Sequence, residues 1–223
     1  MDHQKIEDET IVDFYFDPVS PYTWLASTQL DRISKTGTRI ICRPVLLAGL
    51  LDAHGTTGPA EVPAKRAYFY RDVMREAARL GLEFSGPPAH PFNPLSALRA
   101  AHAIEDSELR LDYVRALMSA IWSEGIDATD PKAFGHVLTS CGANAKAVLS
   151  VLDSDRIKQK LRDETQAAID AGIFGVPTFR LHDQLFWGSD RVDTLIWALE
   201  GGVIDEATFA DALARPVGAK RSR

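Results

Sequence analysis

The chain has 223 residues, of which 45% are hydrophobic and 25% charged, a composition typical of a soluble globular protein. This length is sufficient for a sizeable core in one domain or in two interleaved domains. The formal net charge of −6 argues against a nucleic-acid-binding surface. The one basic cluster, Lys220-Arg221-Ser222-Arg223, ends the chain and is typical of a solvated tail rather than of a binding site.

The first ten residues are polar and acidic and contain no secretory signal, and no apolar run approaches the roughly 20 residues that span a bilayer. These features predict a cytoplasmic protein without a membrane partner. Cys42 lies in an apolar run and is predicted to be a packed strand residue, whereas Cys141 is predicted near a helix end. A C-x-x-C pair is absent, and we expect no structural disulfide.

The N-terminal part of the chain predicts a strand, a helix and a second strand. Residues 10–17 are rich in β-branched and aromatic side chains, and residues 18–20 form a turn. Apolar residues at helical spacing predict one helix over residues 22–35, which Gly37 ends. A second strand covers residues 38–45. A connection of this length between two strands indicates a parallel pair.

The pattern then changes to helices. Residues 46–63 form a long segment with several glycines and prolines, and residues 64–172 show helical periods only, with Asp130-Pro131 as one helix start. Strand signals return at 177–181 and 185–187, joined by a His-Asp-Gln turn, before a last clear helix near Asp190. We therefore predict an α/β domain made of residues 1–45 and 173–223, with residues 46–172 inserted as a helical domain.

The motif Ser20-Pro21-Tyr22-Thr23 opens the first predicted helix. A dithiol redox motif would have cysteines at both ends of such a motif, so disulfide exchange by Ser20 and Thr23 is excluded. A serine before a proline is also a favoured helix start, in which the serine hydroxyl caps the helix. The local sequence favours this capping interpretation.

Several segments in this order carry a family resemblance. The stretches F-D-P-V-S-P-Y-T-W-L-A and G-I-F-G-V-P-T-F, followed by F-W-G-S-D-R, resemble the 2-hydroxychromene-2-carboxylate isomerases and the kappa-class glutathione transferases. The middle segments P-A-K-R-A-Y-F-Y-R-D and H-P-F-N-P-L-S-A-L-R are similar to family segments as well. The resemblance covers nearly the whole chain. It implies a thioredoxin-like, DsbA-like fold with a large all-helical insertion, glutathione as cofactor and a homodimer.

The resemblance also implies roles for individual residues. Ser20 would be the catalytic residue and would hydrogen-bond the sulfur of glutathione, so that the nucleophile belongs to the cofactor. Val176 would pair its backbone with the cysteinyl part of glutathione, next to a cis peptide bond to Pro177. Ser189 and Asp190 would bind the carboxylate and the ammonium of the γ-glutamyl group. Capping of the last helix is an equally good interpretation of Asp190.

Three further positions have alternative interpretations in the sequence. Lys65 would bind the glycine carboxylate of glutathione or an anionic substrate, although a solvated surface lysine is an equal alternative. Isomerases of this family often have an asparagine where Thr56 or Thr57 now stands, and a threonine lacks the paired donor and acceptor of an amide. Arg191 is predicted to pair with nearby acids, not with a ligand.

The remaining aromatic and histidine residues favour structural roles. His90 is predicted to be a loop residue rather than a base, and Phe16, Trp24 and Trp187 are predicted to be core residues. The six histidines show no H-x-x-H or H-x-x-x-H pair, so we predict no metal site.

The function implied by the resemblance is a glutathione-dependent isomerase acting on an aromatic 2-oxo acid. Glutathione would add to the conjugated substrate, allow rotation about the former double bond and be regenerated. A kappa-class-like transferase or peroxidase, which consumes glutathione, is one alternative. A non-catalytic module that binds thiol peptides is another.

Overall fold

Four strands form one mixed sheet in the order β2-β1-β3-β4. In the computed structural model, which describes residues 9–219, the strands are β1 (Ile11–Phe16), β2 (Arg39–Pro44), β3 (Thr178–Leu181) and β4 (Gln184–Trp187). The β1–β2 pair is parallel, as the sequence predicts, while β3 pairs antiparallel with both β1 and β4. The basic cluster at residues 220–223 lies outside the described residues.

The helices surround this sheet and account for most of the chain. They are α1 (Pro21–Ser27), α2 (Leu30–Ser34), α3 (Leu47–Ala53), α4 (Pro63–Arg79), α5 (Leu95–Ala103), α6 (Ser107–Trp122), α7 (Pro131–Ser140), α8 (Ala145–Val151), α9 (Asp155–Asp170), α10 (Val192–Leu199) and α11 (Glu206–Leu213). Within the described residues, no helix is long and apolar enough to cross a membrane.

The core strand β1 is buried on both faces toward its C-terminal end. Val12, Phe14 and Phe16 are fully buried, and Phe14 pairs in register with Phe179 of β3, with the two rings stacked 4.9 Å apart. Such aromatic cross-strand pairs stabilise a sheet beyond the burial of their area. They fix β3, and with it the segment that precedes β3, against the end of β1.

The predicted single helix over residues 22–35 is wrong in one respect, because it is broken into α1 and α2 around Thr28 and Gln29. The hydroxyl groups of Ser27 and Thr28 donate to the carbonyl oxygens of Trp24 and Leu25, at 2.7 and 2.9 Å. Hydroxyl groups that bond to nearby carbonyls compete with the helical backbone pattern. The chain therefore makes a tighter turn there before α2 begins.

Helices α3 to α9 fill the span between β2 and β3, and no strand occurs in that span within the described residues. Asp130 begins α7 as predicted, because its carboxylate accepts from the Lys132 N–H at 3.1 Å and Pro131 follows. Trp122 and Tyr113 of α6 are fully buried. The predicted fold class is confirmed, and the exact domain boundaries stay a prediction.

The C-terminal part differs from the prediction in detail. The hairpin turn is His182-Asp183 alone, with His182 at φ 55°, so Gln184 belongs to β4. The sequence prediction also missed α11, which Asp205 caps by accepting from the N–H groups of Ala207 and Thr208. All side chains of α11 are exposed, so no apolar packing pattern marked it in advance.

The two cysteines are free thiols. Cys42 is buried in β2, where burial raises the pKa of its thiol to about 12, and Cys141 is half-buried just after α7. The buried Cys42 thiol is therefore inert as a nucleophile.

Candidate active site

A cavity of about 1100 Å³ opens at the end of β1, between α1, α4 and the segments that follow α3 and precede β3. Each residue that the sequence predicted for a ligand site lines it: Ser20, Lys65, Val176, Pro177, Ser189 and Asp190. Thr56 and Thr57 line it too. The topology therefore brings both ends of the chain and the helical span to one place.

Ser20 occupies the N-cap position of α1, with φ −93° and ψ 117°, and Pro21 follows at the first helical position. Its carbonyl oxygen accepts from the Thr23 N–H at 3.0 Å, but its side chain makes no capping hydrogen bond. The hydroxyl donates instead to the Val176 carbonyl oxygen at 3.4 Å, which is long for such a bond. The capping interpretation thus holds for the Ser20 backbone and not for its hydroxyl.

Val176 and Pro177 face Ser20 from the segment before β3. The peptide bond between them is cis. The Pro177 carbonyl oxygen accepts from the Gly188 N–H at 2.9 Å, which ties this segment to the end of β4. Within the described part of the chain, the Val176 N–H has no hydrogen-bond partner. A backbone N–H without a partner at a cavity wall is able to pair with a bound peptide.

Ser189 and Asp190 lie in a short 3₁₀ turn before α10. The Arg191 guanidinium donates to the Asp190 carboxylate at 2.6 Å, which confirms the prediction that Arg191 pairs with an acid. No side chain caps α10, so the capping interpretation of Asp190 is wrong. The Asp190 side chain is 62% exposed, so this carboxylate is a solvated group at the rim and not a buried one.

Lys65 lies in the first turn of α4, exposed at the cavity rim. It forms no ion pair with any residue that the structure describes. This geometry is compatible both with an anion-binding role and with a solvated surface lysine, so both interpretations stay open.

The sequence was compared with protein-family models and with known proteins. The model of the DSBA-like thioredoxin domain matches residues 11–200. The chain belongs to this family. It is 31% identical over 187 residues to a 2-hydroxychromene-2-carboxylate isomerase of Pseudomonas putida, covering 82% of this chain and 90% of that protein. It is 29% identical over 208 residues to glutathione S-transferase kappa 1 of Rattus norvegicus, covering 85% and 90%.

Solved structures agree with the family assignment. A structure of 2-hydroxychromene-2-carboxylate isomerase matches with a TM-score of 0.78 at 27% sequence identity, covering 92% of this chain and 100% of that one. A cytosolic disulfide reductase, DsbM from Pseudomonas aeruginosa, solved with GSH, matches with a TM-score of 0.56 at 17% identity and shows the fold alone. The resemblance inferred from the sequence is thereby confirmed at the level of family and fold.

In this DsbA-like protein, the two hydroxyl residues of the Ser20–Thr23 motif have opposite surroundings. Ser20 faces the cavity, whereas Thr23 is fully buried and does not line it. The Thr23 hydroxyl has no hydrogen-bond partner among the described residues. The motif therefore directs one hydroxyl to the cavity and the other into the core.

Asp17 is a residue of the site that the sequence analysis missed. It is fully buried, and its carboxylate accepts from the N–H groups of Val19 and Leu47 at 2.9 and 2.8 Å. Burial raises the pKa of Asp17 to about 7, although the two N–H groups act in the opposite direction. An acid that directly follows the apolar run Phe14-Tyr15-Phe16 was the available signal, because such runs rarely end inside the core on a charge.

Tyr22, two residues after Ser20, donates a hydrogen bond from its phenol to Asp72 of α4 at 2.8 Å. Burial raises the pKa of Tyr22, and the hydrogen bond to Asp72 acts in the same direction. The phenol therefore stays protonated and engaged with Asp72. Both side chains line the cavity, so this pair joins α1 to α4 at its wall.

The aromatic predictions are confirmed in two cases and wrong in one. Phe16 and Trp24 are fully buried, as predicted. Trp187 is 54% exposed and lines the cavity, where its ring meets Phe174 edge-on at 4.9 Å. The reason is strand alternation: β4 is an edge strand that directs Phe186 into the core, so its neighbour Trp187 points outward.

Proposed function

We propose that this protein is a glutathione-dependent isomerase that acts on a conjugated aromatic 2-oxo acid of the 2-hydroxychromene-2-carboxylate type. The observation that carries the proposal is the Ser20 hydroxyl, which makes no capping bond and lies at the cavity wall against Val176. The isomerase relatives support this reaction class, at 30% and 31% identity over 82% of the chain.

The cavity residues fit the parts of glutathione. The unpaired Val176 N–H and its carbonyl would pair with the cysteinyl backbone, which places the thiol beside Ser20. Asp190 is suited to the γ-glutamyl ammonium and Ser189 to the adjoining carboxylate. Lys65 is suited to the glycine carboxylate or to an anionic substrate. Charged groups of both signs thus surround the place where a charged tripeptide would lie.

Bound glutathione would supply a thiolate that adds reversibly to the conjugated substrate, so that the former double bond rotates before the thiolate leaves. The share of the protein is electrostatic and positional. The Ser20 hydroxyl turns from the Val176 carbonyl and donates to the sulfur, which favours its ionised form. The contact that it gives up is long, so this exchange sacrifices little. Lys65, where it binds substrate rather than the glycine carboxylate, would orient an anionic substrate at the cavity rim.

The direct test is an isomerisation assay with 2-hydroxychromene-2-carboxylate, followed by ultraviolet absorbance while free glutathione is measured in parallel. We expect a rate that depends on glutathione while its concentration stays constant. S-methylglutathione, which has no free thiol, serves as the control: it should bind, inhibit and support no turnover. A rate that is independent of glutathione would contradict the proposal.

A kappa-class-like transferase or peroxidase is the second candidate, and the match to the rat kappa-class enzyme, at 29% identity over 208 residues, favours it specifically. In that case glutathione falls in proportion to an aryl halide or a peroxide. Binding of glutathione without turnover in either assay would indicate a non-catalytic module. The homodimer follows from the resemblance and the cytoplasmic location from the sequence, and both stay predictions.

A further inference from the structure

We propose that His90 is a positioning residue, which holds the turn that presents Ser20 by donating a hydrogen bond to the Val19 carbonyl. The inference rests on the proposed function of Ser20 and adds a residue to it from the helical span between β2 and β3. His90 lies in the loop between α4 and α5, as the sequence predicts, and it lines the cavity.

The hydrogen bonds of His90 define its tautomer. Nε2 lies 2.9 Å from the Val19 carbonyl oxygen, which can only accept, so Nε2 carries the hydrogen. Nδ1 lies 3.1 Å from the Tyr70 hydroxyl, which therefore donates to it. Burial lowers the pKa of His90, and the nearby Arg66 guanidinium lowers it further, although the bond to Val19 opposes both. The neutral ring thus makes one directed bond on each side.

Packing fixes the plane of the ring. Phe69 of α4 stacks on His90 with ring centroids 5.6 Å apart and planes within 7°, and Trp122 of α6 meets it edge-on at 5.4 Å. Arg66 donates to the His90 carbonyl oxygen at 3.1 Å and to the Tyr70 hydroxyl at 3.4 Å. A side chain held in this way can transmit its position to the carbonyl that it binds.

The neighbouring backbone groups of the turn are held as well. The Trp122 indole N–H donates to the Pro18 carbonyl oxygen at 3.0 Å. The Val19 N–H donates to the Asp17 carboxylate at 2.9 Å, and the Ser20 N–H donates to the Asp17 carbonyl oxygen at 3.1 Å. The two carbonyl groups are therefore bound by side chains from the helical span between β2 and β3, and the N–H groups are bound within the turn itself.

Because side chains of the helical span bind the carbonyl groups of this turn, the helical span would help to position Ser20 for the reaction. The peptide unit that joins Val19 to Ser20 has its oxygen bound by His90 and its N–H bound by Asp17. When the His90 donor is lost, the peptide plane is held only through its N–H, and the looser plane lets the Ser20 hydroxyl move relative to Val176. The contacts proposed for glutathione at Val176 and Asp190 are untouched by that movement. We therefore expect an effect on turnover and on thiolate stabilisation, with little effect on affinity.

The test compares His90→Met with His90→Gln. The two side chains are similar in length, but only glutamine offers an N–H near the former Nε2. For His90→Met we expect the thiol pKa of bound glutathione to rise by about half to one unit and kcat to fall about three- to tenfold, since one pKa unit is a tenfold change. KM should stay within about twofold of wild type, and His90→Gln should recover most of the loss.

Tyr113→Phe is the matched control. It removes a buried hydrogen bond, from the Tyr113 hydroxyl to the Ala97 carbonyl oxygen at 3.0 Å, in a region that does not line the cavity. We expect it to lower stability and to leave kcat and the thiol pKa unchanged. Hydrogen exchange of residues 17–24 without glutathione adds a readout that is independent of activity, and exchange should be faster in His90→Met alone.

Each outcome distinguishes the two proposals. A wild-type complex in which the glutathione thiol keeps its ordinary pKa overturns the function of Ser20 and, with it, this inference. A depressed thiol pKa that is identical in wild type and His90→Met overturns the role of His90 alone. Equal losses in His90→Met and His90→Gln would assign the effect to packing of the ring and would also overturn it.

Discussion

Two walls of the cavity are built in different ways. The turn that carries Ser20 has its N–H groups bound by Asp17 within the turn, and its carbonyl groups bound by His90 and Trp122 over long distances in the sequence. The opposite loop, which carries Thr56 and Thr57, is exposed and bonded mainly to its own neighbours. In that loop the Thr56 N–H donates to the Leu51 carbonyl at 2.9 Å, and the Gly58 N–H donates to the Glu61 carboxylate at 3.1 Å.

The contrast teaches where sequence change is tolerated. A change in the bound turn moves a hydroxyl on which the proposed chemistry depends, and it leaves buried groups without partners. A change in the exposed loop alters only what the ligand meets, because no long-range bond depends on its threonine side chains. We infer that the turn with Ser20 determines the type of reaction. The loop with Thr56 and Thr57 determines which substrate reacts with the bound glutathione. The predictions below test this division, beginning with the largest expected effect.

The first prediction concerns Asp17, the buried acid that braces the turn. The pKa of Asp17 is about 7, above the ordinary aspartate value of 3.8. Between these two pH values the folded state keeps the Asp17 proton, whereas the unfolded state has released it. Stability therefore falls as pH rises through that window. We expect a loss of about 2 to 4 kcal/mol of unfolding free energy attributable to Asp17 between pH 4 and 7.

The measurement is chemical denaturation at a series of pH values for wild type and Asp17→Asn. The asparagine cannot ionise, so the difference between the two unfolding free energies should change steadily over this pH window. Two parallel stability curves would show that Asp17 titrates normally and that the brace of the turn is not an acid held near neutrality.

The second prediction is Ser20→Ala. Without the hydroxyl, we expect the thiol pKa of bound glutathione to rise by about one to two units and turnover near pH 7 to fall about ten- to a hundredfold. Turnover should partly recover at high pH, where the thiol ionises unaided, and glutathione affinity should change little. The measurement is ultraviolet thiolate absorbance of the complex against pH.

Thr23→Val is the matched control for Ser20→Ala, because it removes the other hydroxyl of the same motif. The Thr23 hydroxyl is buried without a described partner, so its removal should leave turnover unchanged and should not lower stability. If the Ser20→Ala complex titrates as wild type does, the Ser20 backbone contributes a helix start and its hydroxyl contributes nothing to the thiolate.

The third prediction concerns the rim. Asp190→Ala should weaken glutathione binding about two- to fivefold, because an exposed charge pair contributes about 1 kcal/mol or less. The effect should shrink at high salt, because the carboxylate is solvated and already shared with Arg191. Asp193→Ala, which removes an exposed acid that does not line the cavity, is the control for calorimetry. Equal losses in both variants would indicate a general charge effect.

Much of the fold follows from the sequence, because β-branched and aromatic side chains mark β1 and apolar residues at helical spacing mark the buried faces of α4 and α6. The break between α1 and α2 does not follow, since it depends on which way the hydroxyl groups of Ser27 and Thr28 turn. Helix α11 does not follow from the sequence either, because its side chains are exposed and form no apolar stripe.

The candidate site divides in the same way. Ser20, Val176 and Asp190 could be named because local motifs mark them, and the structure brings all three to one cavity. Their bonds could not be predicted: the Ser20 hydroxyl turns to Val176, and Asp190 turns to Arg191. Asp17 and His90 form hydrogen bonds with residues that no local motif indicates. The carbonyl that His90 binds belongs to Val19, which is 71 residues away in the sequence. Such long-range bonds depend on packing that no short segment determines.

The last and smallest effect should come from the exposed loop. Thr57 makes no side-chain hydrogen bond with any described residue, so Thr57→Asn adds a paired donor and acceptor at the cavity wall without removing a contact. We expect kcat/KM for 2-hydroxychromene-2-carboxylate to rise about three- to fivefold, the worth of one added hydrogen bond. Glutathione affinity should not change, and unfolding free energy should stay within about 0.5 kcal/mol of the wild-type value.

Thr56→Asn, at the neighbouring position, is the control for this prediction, because the Thr56 hydroxyl already faces the Leu51 carbonyl at 3.5 Å. If Thr57→Asn alters glutathione affinity as much as kcat/KM, the loop contributes to cofactor binding, and the proposed division of labour between the two walls is wrong.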